Sequence, residues 1–136
     1  MASTPATNLL YGLPGMDADA LQKDLHEVLE AGPHHLSLYA LTLSGRTPMS
    51  RAVASGEITL PDEDEVAEQY LSAGDTLEAA GYKHYEISNF CLPGHHCRHN
   101  TGYWEREEYV GVGTGAHSFL AGRRFRNTPS VLAYIR

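Results

Sequence analysis

The chain has 136 residues, a formal net charge of -7, 42% hydrophobic residues and 20% charged residues. That mix fits a soluble globular protein rather than a disordered one, and the acidity argues against a general nucleic-acid binder, because phosphate binding rests on Lys and Arg. No apolar run approaches the roughly 20 residues of a membrane span, and Met1–Pro5 carry neither the basic nor the apolar region of a signal peptide; the expected location is the cytoplasm, with Cys91 and Cys97 as reduced thiols.

Asn8 to Tyr11 reads as a short apolar strand closed by the turn Gly12-Leu13-Pro14-Gly15. Asp17 then caps a helix with Leu21, Leu25, Val28 and Leu29 on one face, ended by Gly32 and Pro33. His34 to Leu43 reads as a second, mostly buried strand. Thr47-Pro48 opens a short helix that stops near Gly56. Pro61-Asp62-Glu63-Asp64-Glu65 starts the longest helix, with Asp62 as cap and Glu65 completing a capping box. Its acids suit the helix dipole, and its apolar stripe is Val66, Tyr70, Ala73, Leu77 and Ala80. Tyr82 to Ile87 is the third strand.

Strand–helix alternation of this kind predicts an α/β fold with parallel strands. Pattern alone leaves open an open doubly wound sheet or part of a βα barrel. In both, the loops at the carboxyl ends of strands build the site, here Gly12 to Met16, Leu43 to Thr47, and Ser88 onward. Three βα units are too few to close a barrel, and a small parallel sheet leaves bare edges.

The chemistry gathers between Tyr85 and Phe119, which hold both cysteines, the single tryptophan, and His95, His96, His99 and His117. Zinc is one reading of Cys91, His95, His96, Cys97 and His99, but C-x3-H-H-C-x-H fits no usual pairing of zinc ligands. Gly111-Val112-Gly113-Thr114-Gly115 is not G-x-G-x-x-G; close backbone approach explains it better than a nucleotide loop. Arg123, Arg124 and Arg126 form a small basic cluster, most simply a solvated surface, that also suits carboxylates of a ligand.

Five motifs in order then resemble one family: Tyr11-Gly12-Leu13-Pro14-Gly15; Leu36-Ser37-Leu38-Tyr39-Ala40-Leu41; Tyr85-Glu86-Ile87-Ser88-Asn89-Phe90; Cys97-Arg98-His99-Asn100 with Tyr103-Trp104; and Gly111-x-Gly113-x-Gly115-Ala116-His117-Ser118. Together they resemble the HemW haem chaperones, members of the radical S-adenosylmethionine (SAM) proteins related to oxygen-independent coproporphyrinogen III oxidase. The resemblance implies that residues 1–90 are the second half of a radical-SAM-type partial βα barrel with parallel strands. It implies that 91–136 are an irregular Cys/His-rich extension carrying the HNxxYW and GxGxGAHS motifs.

The same resemblance implies haem as ligand, with His99, Asn100, Tyr103 and Trp104 at its site and His99 as the candidate ligand of the iron. A helical turn across Asn100 to Glu105 would place His99 and Tyr103 on one side. The bland reading is that these rings merely pack a loop. In the full-length family a [4Fe-4S] cluster and SAM are also bound; the C-x3-C-x2-C loop that holds the cluster does not occur in this sequence, and C-x5-C at Cys91 and Cys97 does not replace it. Asn8 stands where the family usually has an aspartate for the SAM ribose, and an amide keeps only part of that acceptor capacity. The chain alone is therefore not expected to cleave SAM. The implied partners are haem, a haem-acceptor protein and a polypeptide supplying the other half-barrel. The alternative is half of a split coproporphyrinogen III oxidase-like enzyme in porphyrin biosynthesis.

Overall fold

The computed structural model describes residues 6–45 and 47–136; the signal-peptide reading of Met1–Pro5 lies outside them. The chain divides into two units, Met1–His96 and Cys97–Arg136.

In the first unit, strands β1 (Ala6–Tyr11) and β2 (His35–Ala40) pair in parallel, from Ala6 with His35 to Tyr11 with Ala40. Helix α1 (Ala18–Glu30) makes the crossover. Its start is set by Asp17, whose carboxylate accepts from Ala20 N at 2.8 Å. Gly32 and Pro33 end it as the sequence predicts. Thr47 and Ser50 form a capping box for α2 (Pro48–Ala54). Asp62 and Glu65 form one for α3 (Glu63–Ala79), with both reciprocal bonds at 2.8 Å. Leu21 and Leu25 of α1 and Ala73 and Leu77 of α3 bury themselves against Leu36, Leu38 and Phe90 on one face of the sheet. Each of the large side chains among them contributes about 1.5–3 kcal/mol by leaving water.

The third strand runs in the direction of β1 and β2, as expected, but it does not lie beside β2. Lys83–Glu86 (β3) turns at Ile87-Ser88 into a further strand, Asn89–Cys91 (β4), and it is β4 that lies beside β2, antiparallel. The sheet is mixed, in the order β1-β2-β4-β3. The turn is tightened by the Glu86 carboxylate, which accepts from Ser88 N at 3.1 Å and from the Asn89 side-chain amide. Phe90 then lies opposite Leu36, completing the core that a loop in this place would have left open. Gln69 adds a polar pin: its side chain accepts from Gly12 N at 2.9 Å and donates to Met16 O at 2.7 Å, fixing the loop after β1 onto α3.

The second unit holds α4 (Arg98–Trp104), the hairpin of β5 (His117–Leu120) and β6 (Arg123–Arg126), and α5 (Val131–Tyr134). The extension expected to be irregular thus carries regular elements, and backbone bonds explain them. Ala121 and Gly122, at φ 47° and 74°, make the two-residue turn that matches strand twist in a hairpin. At Gly111 a Cβ would sit 2.1 Å from His117 O, so the backbones touch only because this residue has no side chain. The Asn127 amide donates to Gly111 O at 3.1 Å and Gly113 O at 2.9 Å, and Gly111 N donates to the buried Ser118 hydroxyl at 3.0 Å. The glycine-rich stretch serves as internal scaffolding.

Candidate functional site

Helix α4 carries the whole HNxxYW motif. Its N-cap is Cys97, whose carbonyl accepts from the Thr101 hydroxyl at 3.1 Å. Its other end is a Schellman closure: Arg106 N donates to Tyr103 O at 3.2 Å and Glu107 N to Gly102 O at 2.8 Å. Gly102 is the buried point of the helix, and a Cβ there would lie 2.6 Å from a Glu107 carboxylate oxygen. The closure puts Arg106 at φ 60°, a conformation that costs a residue with a side chain roughly 1–2 kcal/mol.

The helical spacing brings His99 and Tyr103 into contact, ring centroids 4.6 Å apart at 70°. Tyr103 meets Tyr109 in the same edge-to-face manner at 4.8 Å and 81°. Tyr109 is itself fixed by two backbone bonds to Phe119 of β5, both 2.9 Å. A row of rings therefore runs from His99 to the hairpin. Tyr103 and Trp104 are 42% and 57% exposed, so much of their aromatic surface faces solvent rather than packing a loop. Asn100 is half-buried on the same helix, and Arg123, Arg124 and Arg126 are exposed along β6. Asn8 lies in the first unit, exposed on the sheet face opposite the helices, with Ser37 beside it in register.

The cysteines and histidines adjacent in sequence each have surroundings of their own. Cys91 is fully buried in β4, where burial pushes its thiol up, partly offset by the His95 backbone N–H. His95 packs on His34 at 4.3 Å and His96 against Tyr85 at 4.9 Å, while His99 turns to Tyr103. Among the described residues no group of three or more His, Cys, Asp or Glu side chains is arranged to hold a metal ion. Two thiols are fewer than the four of a usual iron–sulfur cluster, and the exposed His99 imidazole beside Tyr103 is of the donor type that haem iron takes.

One polar constellation escaped the sequence reading. On the sheet face opposite the helices, His35 Nε2 is 2.7 Å from the Tyr85 hydroxyl, and the Ser37 hydroxyl donates to Asn89 Oδ1 at 2.5 Å. Asn89 in turn donates to Glu86. Burial lowers the His35 pKa, with Glu86 opposing and His96 reinforcing the shift. Its signal was the alternation of His35 and Ser37 with Leu36 and Leu38 in β2.

No protein-family model matches the chain. It is 40% identical over 129 residues to the "Heme chaperone HemW" of Lactococcus lactis, covering 95% of the chain and 34% of that protein. It is 41% identical over 120 residues to the "Heme chaperone HemW" of Mycobacterium tuberculosis, covering 88% of the chain and 31% of that protein. In fold it matches the coproporphyrinogen III oxidase HemN of Escherichia coli, described as a radical SAM enzyme, with a TM-score of 0.68 over 96% of the chain and 32% of that enzyme at 18% identity. The chain spans about a third of the length of these proteins. Among the described residues no helix is long and apolar enough to cross a membrane.

Proposed function

We propose that this HemW-like chain is a haem-binding part of a haem chaperone, with α4 as the site and no porphyrin chemistry of its own. The observation that carries the reading is the accessible His99 imidazole seated edge-on to Tyr103 within an intact HNxxYW helix. Haem supplies an iron that takes an axial imidazole. His99 offers that nitrogen, Tyr103 and Tyr109 limit how the imidazole turns, and Trp104 presents a flat apolar face. Asn100 completes the motif on the same helix. A haem acceptor, reached in the cytoplasm, is the partner that a chaperone requires.

The first unit fits the same reading as part of a radical-SAM-type barrel. Its β1 pairs with β2 along one edge, and among the described strands none pairs with the other. Further polypeptide supplying the rest of the barrel is the partner for that edge. Asn8 on β1 is the residue facing a SAM ribose there, with the weaker acceptor capacity of an amide. The names of the relatives favour the chaperone over a split coproporphyrinogen oxidase, and the likeness to HemN speaks to fold alone.

The test is a haem titration of the full chain beside His99→Ala, followed at the Soret band. Saturable one-to-one binding, weakened about tenfold or more by the substitution (~1.4 kcal/mol), is expected. Equal, non-saturating uptake by both proteins would overturn the reading.

A further inference from the structure

Arg106 occupies the position after α4 where glycine adopts the required backbone without penalty, yet it stands there at φ 60°. Backbone outliers of this kind point to a use for the side chain. Its guanidinium lies over the Phe119 ring, 5.9 Å from the centroid. Phe119 is opposite Arg124 across the hairpin, and His117 is opposite Arg126. Opposed residues of an antiparallel pair share a face, as do residues two apart on a strand, so these four side chains stand together. Tyr109 is opposite Phe119 on its other side, in an antiparallel bridge, and shares that face too.

One surface therefore leads from His99 through Tyr103, Tyr109 and Phe119 to a set of guanidiniums. Two of the carboxylates near Arg106 in sequence have contacts of their own: Glu107 lies against Gly102, and Glu108 accepts from Ala121 N at 2.5 Å. That leaves a cationic end on an aromatic row, the arrangement that suits a flat apolar ligand bearing carboxylates at one edge. A guanidinium meets a carboxylate through two parallel hydrogen bonds, which adds orientation to charge.

We propose that Arg106, with Arg124 beside it, forms the carboxylate-binding end of the tetrapyrrole site and so sets which edge of the macrocycle faces the hairpin. The inference rests on the haem reading above, and the experiment separates the two. Ferric protoporphyrin IX and its dimethyl ester are titrated into the wild-type chain, Arg106→Gly, Arg124→Gln and His99→Ala. Arg106→Gly is expected to weaken the free acid about tenfold, to leave the ester at its wild-type affinity, and to melt no lower than wild type, since glycine relieves the backbone. Arg124→Gln is expected to weaken the acid in the same direction by less. If Arg106→Gly binds the acid as wild type does, or loses acid and ester equally, while His99→Ala still weakens both, the carboxylate end is refuted and the haem reading stands. If the wild-type chain binds neither porphyrin saturably, both fall.

Discussion

Up to His96 the chain is held by apolar burial: Leu21, Leu25, Leu36, Leu38, Leu77 and Phe90 are each no more than 1% exposed. From Cys97 onward only Gly102 and Ser118 are buried, while Val112, Leu132 and Ile135 are 84%, 70% and 73% exposed. The second unit is ordered instead by backbone contacts, by the Asn127 and Ser118 bonds to the glycine-rich stretch, and by ring-to-ring contacts. Burial consumes aromatic and apolar surface, whereas a scaffold of hydrogen bonds leaves it available. That is a physical reason for exposed rings to occur on the second unit: Tyr103 and Trp104 are 42% and 57% exposed where order comes mainly from hydrogen bonds.

The contrast breaks most sharply with Phe90→Ala. In a well-packed core that truncation removes about 3–5 kcal/mol, measured as a fall in the urea midpoint at unchanged slope. A loss no larger than that of an exposed position would mean that β4 is not part of the core. In the second unit the sensitive residue is a glycine. Gly111→Ala must push the His117 carbonyl aside and is expected to cost about 1–3 kcal/mol, read as faster amide exchange at Tyr109 and Phe119. Val112→Ala, one residue along and exposed, is expected to leave those amides unchanged. Equal protection in the two variants would show that the close approach is not what orders this unit.

The first unit was legible where the local signal is strong. Asp17, Thr47, Asp62 and Glu65 announce helix starts, and Gly32 with Pro33 announces an end, because capping chemistry is written in neighbouring residues. The fourth strand was missed for a related reason. Asn89–Cys91 spans three residues, too few to display a strand period, and its pairing with β2 rests on Phe90 meeting Leu36, which no local pattern encodes. In the site, the four-residue spacing of His99 and Tyr103 was readable as one helix face. Tyr109 and Arg106 were not, since the first is set beside Tyr103 by a bridge to Phe119 and the second by its φ and its place over the Phe119 ring. The run of Cys91, His95, His96, Cys97 and His99 fitted no usual pairing of zinc ligands, and His95, His96 and His99 each meet a different ring.

The smallest effect concerns pH and belongs to the first unit. Burial holds the folded-state pKa of His35 below the ordinary histidine value of 6.5, against a weaker pull upward from Glu86 and with help from His96. The unfolded chain therefore binds a proton at His35 more readily than the folded one does, and below pH 6.5 unfolding becomes coupled to proton uptake. The share of stability contributed by the neutral imidazole, with its bond to the Tyr85 hydroxyl, is complete above that value and drains away as the pH falls. Amide exchange at Leu36 and Phe90, followed from pH 8 downward with correction for intrinsic exchange rates, should show the stability of the sheet declining below the histidine range. His35→Gln keeps a polar side chain opposite Tyr85 without a titrating ring, so its stability should be lower at neutral pH and flatter with acid. Parallel curves for the two proteins would place the acid sensitivity outside the His35–Tyr85 pair.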